Sequence, residues 1–201
     1  MAANSAKSGL KVVLFLGTCR EGRLGIRIAN FMIDQLKKKG HEVEFLDALE
    51  MNLPILTKPL HFYKDQSQAP DMLQKARNKI VAADAYVVVS GEYNHSIPPG
   101  LANLFDYFPA SIFSYKPSGI VCYSPGQYGG MRSAMQLRSF LGEMGCISVS
   151  NIFGIPRAHE AISEEGRPLN EHMEKGAGRL LAQLEWMAHA MKNHRDKCGT
   201  P

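Results

Sequence analysis

Residues 11–25 read KVVLFLGTCREGRLG, a short run of branched and apolar residues that leads into a glycine-rich loop. After the loop, apolar residues recur every three or four positions, as in a helix with one buried face, at Ile26, Ala29, Ile33 and Leu36. A basic turn followed by Gly40 marks the end of that helix. A strand, a loop and a helix in this order begin a βαβ unit, so the stretch predicts a parallel sheet covered by helices.

The rest of the chain repeats this alternation. Short apolar runs predict five strands, at residues 11–16, 43–46, 85–90, 119–123 and 147–153. Five segments of helical spacing follow or separate them, and the third begins at Pro98-Pro99, since proline is tolerated in a first helical turn. Residues 52–69 show no period and predict a long loop.

Length and composition fit a single globular domain. With 201 residues and neither an internal repeat nor a linker, we predict one domain over residues 1–201, with disorder at residues 1–9 and 195–201. Hydrophobic residues make up 45% of the chain, yet no apolar stretch is long enough to span a bilayer, so no membrane span is expected. The N-terminus lacks the pattern of a secretory signal.

Cysteine spacing and charge argue against several other classes. The four cysteines form no C-x-x-C pair, so we expect free thiols in a reducing, cytoplasmic setting and no metal site. The formal charge of +4 comes from short basic runs such as residues 37–39, which are typical of solvated helix ends. No nucleic-acid partner is therefore expected, although a mild positive field would attract a phosphorylated cofactor.

The loop after the first strand predicts a phosphate site. Residues 17–25 combine three glycines, a threonine and two arginines in front of a helix N-terminus, where free backbone N–H groups favour anions. The loop lacks the lysine and hydroxyl of a P-loop, and Cys19 breaks the dinucleotide pattern G-x-G-x-x-G. The arginine spacing does not fit a cysteine phosphatase either. A tight strand-to-helix turn with solvated arginines is the alternative interpretation.

Two further loops lie where ligands bind in open α/β sheets, beyond the carboxyl ends of the strands. Residues 90–100 read SGEYNHSIPPG and predict a stiff ledge with backbone groups for the edge of a ring and Tyr93 for its face. Residues 124–132 read SPGQYGGMR, where glycines allow a flat ligand close to the backbone. His95 is either a surface or hydrogen-bonding residue or a residue that assists catalysis. Glu92 is either a base or a carboxylate bonded to backbone beside the ligand.

Taken together, these residues resemble the NADPH-dependent FMN reductase family of flavodoxin-like proteins, which includes azoreductases, quinone reductases and chromate-reducing flavoenzymes. The resemblance covers about residues 12–156, and the Glu-Tyr-Asn run that starts at Glu92 is its most specific signal. The other matching runs are residues 17–25, 45–49, Leu53-Pro54, 95–98, Leu101 with Asn103, Phe105-Asp106, Lys116-Pro117, and Gly129-Gly130 with Arg132. The resemblance implies a three-layer α/β sandwich with a five-stranded parallel sheet of order 2-1-3-4-5.

The resemblance also implies a cofactor and its ligands. FMN is expected, with NADPH or NADH as the reductant, and the flavin itself would carry hydride to a small acceptor, so no catalytic side chain is required. The phosphate would be held by Thr18, Arg20 and the backbone N–H groups of Gly22, Arg23, Leu24, Gly25 and Ile26, and the Arg23 side chain could share the role of Arg20. The edge of the isoalloxazine ring would meet Glu92, Tyr93, Asn94 and His95, and its pyrimidine side Ser124, Gly126, Tyr128, Gly129 and Gly130.

The sequence departs from the family pattern at two positions. The family commonly has proline at the position of Gly91 and lysine at that of Ala102, and these two departures bear on redox tuning and partner choice. Family members are usually homodimers or homotetramers, and the loop around residues 61–63 is a candidate wall for a partner's site. The rival functions are an FMN-carrying electron-transfer module that acts with protein partners and an interaction domain without flavin.

Overall fold

A five-stranded parallel sheet lies at the centre of residues 9–201, the part of the chain described by this computed structural model. Its strand order is β2-β1-β3-β4-β5, as the resemblance implied. The strands are β1 (Lys11–Leu16), β2 (Glu42–Asp47), β3 (Ala85–Gly91), β4 (Ser118–Tyr123) and β5 (Ser148–Ile155). The register sets Leu16 beside Val89, and Gly91 beside Tyr123, so the strands β1, β3 and β4 end close together.

Helices cover both faces of the sheet. They are α1 (Gly25–Lys38), α2 (Ala48–Met51), α3 (Asp71–Ala82), α4 (Pro99–Asp106), α5 (Met131–Glu143), α6 (Ala158–Ala161) and α7 (Glu171–Cys198). Successive residues of a strand point to opposite faces. In β1, Val12, Leu14 and Leu16 therefore pack with α1 and α7, whereas Val13 and Phe15 pack with α3, α4 and α5. The expected three-layer sandwich is confirmed.

The structure corrects and refines several details of the sequence prediction. The one-turn helices α2 and α6 come in addition to the five predicted helices. The helix α7 continues to Cys198, where disorder was expected from residue 195, because Arg195 donates a hydrogen bond to the Tyr115 carbonyl at 2.8 Å. The disorder expected for residues 1–8 lies outside the described residues.

The long loop from residue 52 to residue 69 is anchored to α4. Asn103 accepts a hydrogen bond from the Leu56 N–H at 2.9 Å and donates one to the Pro54 carbonyl at 2.9 Å. The Tyr107 hydroxyl also donates to the Pro54 carbonyl, at 3.0 Å. The loop therefore has a fixed course at the end of the sheet where β1 and β3 end.

None of the helices in residues 9–201 is long and apolar enough to cross a membrane. The four cysteines, all within that range, are unpaired; Cys122 and Cys146 are buried, whereas Cys19 and Cys198 are exposed.

Candidate functional site

Three loops meet at the carboxyl end of the sheet. They follow β1, β3 and β4, which are neighbours in the sheet, and they comprise residues 17–24, 92–98 and 124–130. We call them the first, second and third loop. Because parallel strands end at one edge, the loops predicted separately from the sequence form one surface.

The first loop leads into an open helix N-terminus. Within the described residues, no side chain caps the first turn of α1, and that turn contains no acidic residue. Gly22 has a positive φ of 64°, and no described atom lies within 4 Å of the position that a Cβ would take there. The unpaired N–H groups and the helix dipole give this end of α1 a positive potential. Its chemistry suits a phosphate group.

Arg20 and Tyr93 join the first loop to the second. The guanidinium carbon of the exposed Arg20 lies 3.8 Å from the centre of the Tyr93 ring, a cation–π contact. Burial raises the pKa of Tyr93, an effect that the nearby Arg20 charge partly opposes, so its hydroxyl is neutral at ordinary pH. Arg20 thus forms no ion pair within residues 9–201, and its guanidinium lies near the N-terminus of α1.

Arg23 has a different environment from the one expected. Its guanidinium donates two hydrogen bonds of 2.5 Å to Asp47 at the end of β2, and one of 2.6 Å to the Thr18 carbonyl. Both side chains of this ion pair are largely buried, with 9% and 3% of their area exposed. The hydrogen bond to Asp47 raises the pKa of Arg23 further. The guanidinium is engaged inside the loop, which leaves the backbone N–H of Arg23 as its group expected at the phosphate.

Thr18 also faces inward. The residue is 1% exposed, and its hydroxyl lies 3.0 Å from the hydroxyl of Tyr123 at the end of β4. In this structure the hydroxyl is paired and shielded from solvent, and its contact with a phosphate stays a prediction. What remains available in the first loop is Arg20 and the backbone.

The second loop is a tight turn held by α5. Tyr93 and Ser96 exchange backbone hydrogen bonds of 3.1 and 2.9 Å across Asn94 and His95, whose φ angles are 50° and 60°. Two positive φ values in succession define a type I′ turn. Gln136 on α5 accepts a hydrogen bond from the Ser96 hydroxyl at 2.6 Å and donates one to the His95 carbonyl at 2.9 Å. The ledge is therefore rigid, with the side chains of Asn94 and His95 exposed on it.

Glu92 caps α5 and is not free to act as a base. Its carboxylate accepts hydrogen bonds from the backbone N–H groups of Arg132 and Ser133, at 3.0 and 3.3 Å, and from the Arg132 guanidinium at 3.2 Å. A carboxylate at this position satisfies N–H groups that the helix leaves unpaired. Of the two interpretations from the sequence, the carboxylate bonded to backbone is the observed one.

The third loop is shaped by glycines that pack on the sheet. Gly129 and Gly130 have φ angles of 61° and 77°, and a Cβ at Gly130 would lie 2.8 Å from the Tyr123 nitrogen. The Arg157 N–H donates to the Gly126 carbonyl at 3.0 Å and holds the loop from behind. Gly126 and Tyr128 remain exposed, and the Arg132 guanidinium carbon lies 4.4 Å from the centre of the Tyr128 ring. The backbone at Gly126 and Tyr128 is therefore accessible to a flat ligand.

Comparison with known proteins adds a family to this geometry. A family model described as NADPH-dependent FMN reductase matches residues 10–160, more than half of the chain. The chain belongs to the NADPH-dependent FMN reductase family. It is accordingly a flavoenzyme of the NAD(P)H-dependent reductase type, with FMN as its cofactor and NAD(P)H as the reductant.

Solved structures of this fold support the architecture. FerB, a flavoenzyme NAD(P)H:(acceptor) oxidoreductase from Paracoccus denitrificans, is similar with a TM-score of 0.73 and 22% identity, over 90% of this chain and 98% of that one. The apo form of the NADH:FMN oxidoreductase EMOB has a TM-score of 0.63 and 16% identity, over 90% and 89%. An NAD(P)H:quinone oxidoreductase from Methanothermobacter marburgensis has a TM-score of 0.56 and 15% identity, over 92% and 99%. At these identities the similarity concerns the fold.

The residues on the three loops of this FMN reductase family member are chemically suited to bind FMN. The open α1 terminus and Arg20 suit the terminal phosphate of FMN, and the second and third loops offer rigid backbone to a ring. Tyr123, Gln136 and the pairing role of Asp47 were not predicted from the sequence. The position of Asp47 directly after the buried Leu46 was the one local signal for it, whereas Tyr123 and Gln136 gave none.

Proposed function

We propose that the protein transfers electrons from NAD(P)H to a small acceptor, such as a quinone, an azo compound, a free flavin or a metal ion, through FMN held on the three loops. The observation that supports this most is the uncapped N-terminus of α1 beside the free charge of Arg20. When bound, FMN supplies the hydride chemistry. The protein residues bind, orient and expose the ring.

The phosphate end would be held by charge and backbone. We assign Arg20 and the N–H groups of residues 22–26 to the phosphate, because Arg20 has no other anionic partner among residues 9–201. Arg23 and Asp47 would keep the loop in the shape that presents these groups. A terminal monophosphate fits an anion site at a helix N-terminus.

The ring would lie against the second and third loops. The type I′ turn at Asn94 and His95 would meet the ring edge, and the backbone of Gly126, Gly129 and Gly130 its pyrimidine side. Tyr93, Ser124 and Tyr128 complete the proposed set. Since Asn94, His95, Gly126 and Tyr128 are all exposed, one face of the ring would stay open to nicotinamide and then to the acceptor.

A second copy of the chain would complete the site in this proposal. Ile55 and Phe62 are 86% and 65% exposed on the long loop, which α4 holds in place beside the first loop. A second copy that packs on this loop would remove both apolar side chains from water. We therefore assign a homodimer or homotetramer, working in the cytoplasm, where the free thiols stay reduced.

Turnover with a panel of acceptors tests this function. The purified protein with FMN should oxidise NADPH continuously when a quinone, an azo dye or ferric iron is supplied, with ping-pong kinetics because both substrates use one face. The electron-transfer alternative predicts bound FMN without NADPH oxidation. Bound flavin with no turnover on any acceptor would reject the proposed activity in favour of that alternative.

A further inference from the structure

Tyr123 lies beneath the first loop, although it belongs to β4. Its side chain is buried, with the whole residue 6% exposed, and its hydroxyl is paired with that of Thr18 at 3.0 Å. The two residues are 105 positions apart in the chain. The bond therefore joins the start of the first loop directly to the strand that leads into the third loop.

Two glycines make room for this contact. A Cβ at Gly25, the first residue of α1, would lie 2.5 Å from the Tyr123 hydroxyl and 2.6 Å from the Thr18 hydroxyl. A Cβ at Gly91, the last residue of β3, would lie 3.0 Å from Thr18 Cγ2 and 3.3 Å from Tyr123 Cζ. Side chains at these positions would compete with the tyrosine for the same volume. Tyr123 thus fills the space between the end of β3 and the start of α1.

The Tyr123 hydroxyl keeps its proton. Burial raises the pKa of Tyr123 to about 12, an increase that the hydrogen bond to Thr18 reduces. The tyrosine is therefore neutral across the physiological range. Both hydroxyls are shielded from solvent, so losing one would leave the other buried without a partner, which is costly.

We propose that Tyr123 is a positioning residue for the FMN phosphate, an inference that rests on the proposed function. By holding Thr18 inward, it fixes the backbone between Gly17 and Gly25, whose N–H groups would meet the phosphate. Arg23 holds the Thr18 carbonyl from the other side, at 2.6 Å. The Tyr123 hydroxyl bonds to Thr18 of the first loop, so its removal should act on the phosphate more than on the isoalloxazine, although the Tyr123 backbone packs against Gly130 of the third loop.

Flavin titration of Tyr123→Phe tests this role. The variant keeps the ring and loses the hydroxyl, and we expect FMN to bind about tenfold more weakly while riboflavin, which has no phosphate, is unaffected. Tyr86→Phe is the matched control. It removes another buried tyrosine hydroxyl, bonded to the Ile80 carbonyl at 3.0 Å near the opposite end of the sheet, and should change neither affinity.

The outcomes separate this inference from the proposed function. Unchanged FMN affinity in Tyr123→Phe, or equal weakening of FMN and riboflavin, would overturn the positioning role. Failure of the unmodified protein to bind FMN at all would instead reject the proposed function. If the protein binds no FMN, unfolding experiments without flavin still test whether the Tyr123 and Thr18 hydroxyls depend on each other.

A double-mutant cycle of thermal unfolding provides that flavin-free measurement. Thr18→Val and Tyr123→Phe each remove one hydroxyl at nearly constant shape, and each should lower the unfolding temperature because it orphans the other group. The double variant should unfold no lower than the less stable single variant. Additive losses would show that the two hydroxyls do not depend on each other and would overturn the inference.

Discussion

Arg20 and Arg23 lie three positions apart in one loop, yet their surroundings give them different tasks. Arg20 is exposed above Tyr93, and Arg23 is paired inside with Asp47. We expect Arg20→Ala to weaken FMN binding by about ten- to a hundredfold, since a charge-assisted hydrogen bond contributes about 1.5–3 kcal/mol, and to leave riboflavin affinity and folding unchanged. Fluorescence titration of both flavins measures this. A normally folded Arg20→Ala protein with unchanged FMN affinity would contradict it.

The matched variant Arg23→Ala should act on stability. It leaves the buried carboxylate of Asp47 without its ion pair, so the free energy of unfolding should fall by about 3–5 kcal/mol. Denaturant unfolding of Arg23→Ala and of the double variant Arg23→Ala/Asp47→Ala tests this. The double variant should recover part of the loss, and a single variant as stable as the unmodified protein would disprove the buried pair.

At the scale of elements, the second loop and α5 form one unit. Glu92 caps α5, while Gln136 of α5 holds the turn at His95. We expect Glu92→Ala to lower stability by about 1 kcal/mol, as the loss of a helix cap does, with Glu92→Gln affected less because its amide oxygen still accepts an N–H. FMN reduction by NADPH should keep its rate and pH profile in Glu92→Gln. A rate loss at unchanged stability would instead make Glu92 a base.

The last helix, α7, is tied to the opposite end of the sheet by charges. Glu185 accepts hydrogen bonds from Lys39 and His41, at 3.2 and 3.1 Å, while Asp84 pairs with Lys192 and Arg195, at 3.3 and 3.5 Å. Although burial acts to raise the pKa of Glu185, these hydrogen bonds lower it below the ordinary value of 4.5. Since the folded state then favours the ionised carboxylate, the stabilisation is present above pH 4.5 and is lost as pH falls through the lower, folded-state pKa.

Glu185→Gln tests this pH dependence. The difference in unfolding free energy between the unmodified protein and the variant should be largest at neutral pH and should shrink steadily below pH 4.5. Glu143, which is exposed and forms no ion pair within residues 9–201, provides Glu143→Gln as a control on the surface. A difference that stays constant from pH 7 to pH 3 would show that the Glu185 charge does not stabilise α7.

At the scale of the whole molecule, local patterns predict the fold better than the site. Apolar runs such as residues 85–90 and helical spacing from Ile26 onward depend on neighbours in sequence, so the strands could be predicted from them, whereas the strand order followed from the family resemblance. The pairs Arg23 with Asp47 and Thr18 with Tyr123 join residues 24 and 105 positions apart, and no local pattern encodes them. For this reason the positions of the loops could be predicted, while the inward orientation of the Thr18 and Arg23 side chains could not.

The central claim, FMN held on the three loops and reduced by NAD(P)H, is tested most directly by an anaerobic visible spectrum. The protein is mixed with equimolar FMN, passed through a desalting column and then given NADPH without an acceptor. We predict that yellow flavin absorbance elutes with the protein and bleaches on addition of NADPH. A colourless protein fraction, or bound flavin whose absorbance persists with both NADPH and NADH, would contradict the account.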